Sequence, residues 1–265
     1  MTTAPDDRFA ELRAPAHWQA VDFISDLHLH PGEPDTVRAW LSYLQRPPAQ
    51  RADALFILGD LFEVWVGDDV LDDPRSFASE CAAALKEHGR DTPTYFLCGN
   101  RDFLLGETAL AACGMRGLSD PTVLVFQQRR WLLSHGDELC TDDRDYLQFR
   151  AQVRSPDWQA AFLSQPLATR EAVARDLRQR SEAHKRSLAH APELWADVDA
   201  GAARTWLTSA RADTLIHGHT HRPATHDLGT GLQRVVLSDW DASAHPPRLQ
   251  RLRLSASGLE RQSLA

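Results

Sequence analysis

Residues 95–103 read YFLCGNRDF, an apolar run that stops at Gly99 and then delivers Asn100, Arg101 and Asp102 in succession. A short run of β-forming residues closed by glycine is how a strand buried on both faces reads. A hydrophobic core has no use for an amide, a guanidinium and a carboxylate at its mouth, and an ordinary turn needs only the glycine and the asparagine. The trio points to something bound at a strand end.

The same pattern recurs along the chain. VDFI (21–24), ALFIL (54–58), WLLS (131–134), DTLI (213–216) and RVVL (234–237) are each too short for a helix and are followed closely by glycine or a polar cluster. Helical patterns lie between several of them, at roughly 35–45, 74–88 and 199–210. Strand and helix in alternation predict α/β layering, with helices on the outer faces of the sheets.

One segment, from about 144 to 198, carries no strand pattern. Trp158, Phe162, Leu163, Leu167, Val173 and Leu177 recur there at helical spacing, which predicts a helical insertion. Between residues 150 and 190 it holds eight Lys or Arg against four Asp or Glu, a local +4 in a chain of formal charge -8. Such a segment is either a solvated helix packed on the main domain or a basic, apolar cap facing an anionic amphiphile or a membrane surface.

The 265-residue length and 43% hydrophobic content allow a sizeable core. The acidic balance argues against general nucleic-acid binding, which needs clustered basic residues. Cys81, Cys98, Cys113 and Cys140 form no CxxC pair, so reduced thiols in a cytosol are expected. The N-terminus has no apolar segment of the secretory type, and no stretch approaches the ~18 apolar residues of a membrane span.

The strand ends share one chemistry. They read SDLHLH (25–30), GDLFEVWVGDD (59–69), GNRD (99–102), SHGDELCTDD (134–143) and HGHTHRP (217–223), and each opens on a side chain able to bind metal. On extended backbone Asp26 and His28 point to one side, and so do His217 and His219. Asp60 offers two oxygens able to bridge, and Asn100 and His135 add neutral ligands. Together they suffice for two cations sharing a carboxylate, about 3.5 to 4 Å apart, the arrangement that clamps attacking and leaving oxygens in phosphoryl chemistry. A set of N and O donors without thiolate suits Mn²⁺, with Fe²⁺, Zn²⁺ or Mg²⁺ as alternatives. His30 and His221 read as peripheral or substrate-facing.

This ordered set resembles the calcineurin-like metallophosphoesterase superfamily. Within it, Gly59-Asp60-Leu61-Phe62-Glu63 with Trp65, Gly99-Asn100-Arg101-Asp102-Phe103, and Cys140-Thr141-Asp142-Asp143 are similar to the UDP-2,3-diacylglucosamine pyrophosphatases of lipid A synthesis. The resemblance spans about residues 21–240. It implies a four-layer αββα sandwich, a single domain over 1–265 with the insertion as a lid, and a hydrolase carrying two Mn²⁺ ions. One ion would be held by Asp26, His28, Asp60 and His219, the other by Asp60, Asn100, His135 and His217. Asn100, Arg101 and His135 would be catalytic, with substrate contacts from Asn100, Arg101, Asp143, Ser181, Lys185 and His217. The implied partners are a lipid-linked nucleotide and the cytoplasmic face of the inner membrane, met peripherally by a cytoplasmic protein.

In the wider superfamily the residue after the asparagine is usually a histidine acting as proton donor. Arg101 stays charged at working pH and cannot donate. A departing phosphate, with a pKa of about 6, needs no proton, so Arg101 points to a diphosphate cut by metal-activated water at the α-phosphorus. The alternative is a soluble phosphodiester or dinucleoside polyphosphate substrate.

Overall fold

The computed structural model describes residues 8–187 and 197–265, with side chains given through residue 179 and again from 197. Two six-stranded sheets stack face to face. The first has the order β12 (Gly258–Ser263), β11 (Gln250–Ser255), β2 (Ala20–Ile24), β3 (Ala54–Leu58), β4 (Thr94–Leu97), β5 (Met115–Leu118). The second runs β1 (Ala10–Arg13), β6 (Thr122–Phe126), β7 (Arg129–Leu133), β8 (Thr214–His217), β10 (Leu232–Val236), β9 (Thr225–Gly229).

Alternation along the strands builds three cores and hence four layers. Phe23, Phe56, Leu58 and Leu97 meet Leu124, Trp131, Leu133 and Ile216 between the sheets. Their neighbours Ile24, Leu55, Ile57 and Phe96 point outward to α1 (Pro34–Leu44), α2 (Phe77–His88) and α3 (Glu107–Cys113), burying Trp40, Leu85 and Ala109. On the far side Val123, Leu132 and Leu215 cover Ala203, Trp206 and Leu207 of α7 (Ala200–Ala210). Strand β3, ALFIL, is apolar throughout because both of its faces are covered.

Helix starts follow local chemistry: Ser76 accepts from Ser79 N at 3.1 Å and Asp199 from Ala202 N at 2.6 Å, each satisfying a first-turn donor. The segment between β7 and α7 holds α4 (Arg144–Val153), α5 (Pro156–Leu163) and α6 (Leu167–Ser187), with no strand among its described residues. Phe162 docks into the core beneath the helices α1 to α3. Arg170, buried at the start of α6, donates to Val66 O and pairs with Asp69, which fixes the insertion to the loop after β3.

Strands β2, β3 and β4 run parallel, as do β7 and β8. Their carboxyl ends share one rim, and the polar stretches quoted above leave the sheets there.

Candidate metal centre

Two buried carboxylates form the middle of the rim. Asp26 follows β2 and is fully buried, and Asp60 follows β3 with 2% exposure. Oxygens of Asp26 and Asp60 and a ring nitrogen of His135 lie within 4.8 Å of one another, and so do donor atoms of Asp26, His28 and His221. Close approach of the flanking strands depends on two glycines. A Cβ on Gly99 would lie 2.1 Å from Asp60 Oδ1, and one on Gly218 would lie 2.3 Å from Asp26 Oδ2. No side chain fits at either place.

The backbone at the rim is not extended. Asp26, His28, Asp60, His219 and His221 all have φ between 48° and 67°, the left-handed region that non-glycine residues seldom occupy. The same-side argument for residues two apart therefore does not hold, and convergence comes from these turns. Its consequence is clearest in HGHTH. His217 Nδ1 donates to Gly218 O at 2.9 Å, and its Nε2 faces Arg234 at 3.4 Å, itself paired with Asp197. His219 Nδ1 lies 2.9 Å from Asn100 Oδ1. His221 Nε2 lies 3.3 Å from Asp26 Oδ1 and 3.2 Å from His28 Nε2. The pair brought to the carboxylates is thus His219 and His221, with His217 turned into the second sheet.

His135 donates from Nδ1 to Leu58 O at 2.9 Å, which leaves Nε2 3.0 Å from Asn100 Oδ1 and 3.7 Å from Asp60 Oδ1. Burial works against a charge on His135, yet Asp60, Asp26 and Asp137 push its pKa up to about 9. Burial depresses His217 to about 3, with Arg234 adding to the effect, and depresses His219 to about 4, with His135 adding. The field at the carboxylates draws positive charge, and ring nitrogens of His135 and His219 lie 3.0 and 2.9 Å from the same Asn100 Oδ1. Such a cluster of N and O donors beside two buried carboxylates fits divalent cations.

Asp102 holds the rim from behind. Fully buried, it accepts from Gly99 N at 2.8 Å, Leu61 N at 2.7 Å and Asp60 N at 3.3 Å. Burial and the Asp60 charge push its carboxyl up to about 6. Arg101 gives its backbone N–H to Asp60 Oδ1 at 2.8 Å and turns its guanidinium toward Glu63, 3.8 Å away. Glu63, which the motif reading passed over as a substrate-site residue, also lies 3.1 Å from His28 Nδ1 and 3.1 Å from Arg178 Nε. Burial alone would raise its pKa, but the His28 imidazole with Arg101 and Arg178 holds it low, at about 2. It ties the rim, the arginine and helix α6 together, and only the triplet G-D-x-x-E hinted at it.

Asp143 caps α4, accepting from Tyr146 N at 3.0 Å. Tyr146 lies over His219, ring centroids 5.9 Å apart, and hydrogen-bonds Asp137, which also pairs with Arg150. The side chains of Ser181 and Lys185, on α6, lie outside the described residues.

Comparison with known proteins places this geometry. The calcineurin-like phosphoesterase family model matches residues 20–223. A protein of Aromatoleum aromaticum is 49% identical over 84% of this chain and 89% of its own length, and one of Stenotrophomonas maltophilia is 47% identical over 82% and 90%. A third, from Chromohalobacter salexigens, is 44% identical over 82% and 87%, and all three are named UDP-2,3-diacylglucosamine hydrolase.

Asp102→Asn removes the charge that four rim amides share. It is expected to lower unfolding free energy by about 1.5 to 3 kcal/mol and divalent-ion affinity about 10- to 100-fold, read by urea midpoint and by metal content after dialysis. Unchanged values for both would remove Asp102 from the frame of the site.

Proposed function

Because the chain belongs to the calcineurin-like phosphoesterase family, we propose that it hydrolyses the diphosphate of UDP-2,3-diacylglucosamine, releasing UMP and 2,3-diacylglucosamine 1-phosphate in lipid A synthesis. The observation that carries this reading is the position of Arg101. It stands where a proton donor is expected, backbone-bonded to Asp60 and held by Glu63, in a chain 44% to 49% identical to relatives named for that substrate.

Asp26, His28, Asp60, Asn100, His135, His219 and His221 are the ligands for two cations, Mn²⁺ being well suited to their N and O donors. Bound there, the cations would lower the pKa of water and neutralise phosphoryl oxygens. Asp60, whose oxygens lie 3.7 Å from His135 Nε2 and 3.9 Å from His28 Nε2, would hold both cations. Asp102 fixes the backbone that carries Asp60 and Gly99, so ligand positions are set before substrate arrives.

Arg101 neutralises the departing sugar phosphate, which leaves as a weak base and asks for no proton. Arg178, on the same Glu63, brings a second positive charge from the insertion to the rim. Leu163, Val173 and Leu177 of the insertion, with Val64 beside Glu63 and Phe149 on α4, leave large apolar surface exposed and suit acyl chains. No described helix is long and apolar enough to cross a membrane, and the basic, apolar insertion supports peripheral contact with an anionic membrane face. Ser181 and Lys185 remain substrate contacts in this proposal, as does Asp143.

Turnover of UDP-2,3-diacylglucosamine in ¹⁸O water is expected to place label in UMP, read by mass spectrometry; label in the lipid phosphate would refute attack at the α-phosphorus, and no turnover would sink the substrate. Arg101→Ala is expected to keep its metal and lose about 10²- to 10³-fold in kcat. His221→Ala is expected to lose about one metal equivalent by elemental analysis, whereas His217→Ala retains both. The reverse pattern would restore His217 as the ligand.

A further inference from the structure

At the opposite end of the first sheet, four arginines gather round one buried acid. Asp22, on β2, accepts from Arg251 Nη1 at 2.8 Å and is bound by Arg253 through Nε at 2.7 Å and Nη2 at 2.9 Å. Its remaining hydrogen bond comes from Tyr43 Oη at 3.2 Å. Arg51 donates from Nε to Arg46 O at 2.6 Å, and the only carboxylate near it among the described residues is an exposed Asp91, 3.6 Å away. Arg46 lies 5.1 Å over the Tyr43 ring and has no carboxylate partner among the described residues. Four guanidinium groups thus meet two carboxylates, Asp22 and the exposed Asp91, in a chain whose formal charge is -8.

Asp22, Tyr43, Arg46, Arg51, His88 and Arg251 line a recess of about 10 Å³ between the sheet and helices α1 and α2. His88 is 5% exposed, and its Nδ1 donates to Leu44 O at 3.0 Å. Its Nε2 is buried with no hydrogen-bond partner. Burial with the neighbouring charge of Arg51 lowers its pKa, and burial with Arg251 lowers that of Arg46. A like-charged cluster round an unpartnered nitrogen acceptor lacks a counter-ion that carries a proton.

We propose that this recess binds a phosphate group, independently of the metal centre and of the activity assigned to it. The recess admits one oxygen-sized atom. The phosphorus therefore sits at the mouth, with Arg46, Arg51 and Arg251 donating to its oxygens. The inserted oxygen, protonated as in monohydrogen phosphate, donates to His88 Nε2. A cavity of about 280 Å³ adjoins through Arg51, Ala52 and Thr92, and leaves space for a substituent on the phosphate. The site lies roughly 13 Å from Asp26, four residues back along β2.

The test follows the His88 imidazole signal by NMR in the full-length, metal-loaded protein labelled at histidine. Titration with inorganic phosphate, against chloride of equal ionic strength, is expected to give a saturable shift. Arg46→Ala and Arg51→Gln are each expected to weaken that titration about tenfold while turnover in phosphate-free buffer stays unchanged. Vesicles of phosphatidylcholine with and without phosphatidic acid form a second arm. A shift with phosphate assigns the source to the free ion, and a shift with phosphatidic acid alone assigns it to a lipid headgroup. A His88 signal unmoved by both, or one that still responds in the Arg46→Ala, Arg51→Gln double variant, overturns the proposal.

Discussion

Asp26 and Asp60 place two carboxylates in a buried part of the protein, and among the described residues no guanidinium or ammonium pairs with either one. Imidazoles and backbone amides are their partners. An isolated carboxylate in such a place is costly enough to change protonation state, so these two depend on the imidazoles around them and, in the proposed reading, on bound cations. The left-handed backbone at five rim residues, the two glycines that let strands approach and the hidden Asp102 all serve to keep these charges close. Most of what is unusual about the fold lies within a few residues of them.

How much of this was legible in the sequence depended on the distance over which each feature is determined. Six strands carry short apolar runs that both layers cover, and they stand out. The hairpin β11 and β12, the edge strand β9 and the short β1 alternate or carry charges, because one side meets solvent, and they read as loops. TVLVF, the strand β6, is an exception, as apolar as β3 yet followed by no metal-binding side chain. Side chains able to bind metal are recognisable because their types cluster after strands. Which histidines of HGHTH converge was not, since period-two reasoning assumes extended backbone and His219 and His221 adopt positive φ. Glu63 and Arg170 depend on partners more than a hundred residues away, and no local pattern announces such pairs.

Glu63 also shows why the insertion cannot be considered separately from the rim. It bonds with His28 on one side and with Arg101 and Arg178 on the other. A displacement of α6 therefore changes the environment of a rim histidine and of Arg101 together. Arg170, gripping Val66 and Asp69 from the start of the same helix, gives α6 a fixed end close to the loop that carries Glu63. Arg178, Glu63 and Arg101 therefore form one contiguous contact between the insertion and the rim.

The rim residues come from both sheets: Asp26, Asp60 and Asn100 leave one, His135 and His219 the other. Their mutual distances are therefore a measure of how the two sheets register across the middle core of Phe23, Phe56, Leu133 and Ile216. Sheets packed about 10 Å apart resist shear only as well as those side chains interlock. A truncation in the middle of the sandwich, well away from any polar atom, acts as a wedge removed from between two jaws. Such a chain keeps its fold and its full set of donors, yet grips an ion less well, and its loss of function has the appearance of a site defect.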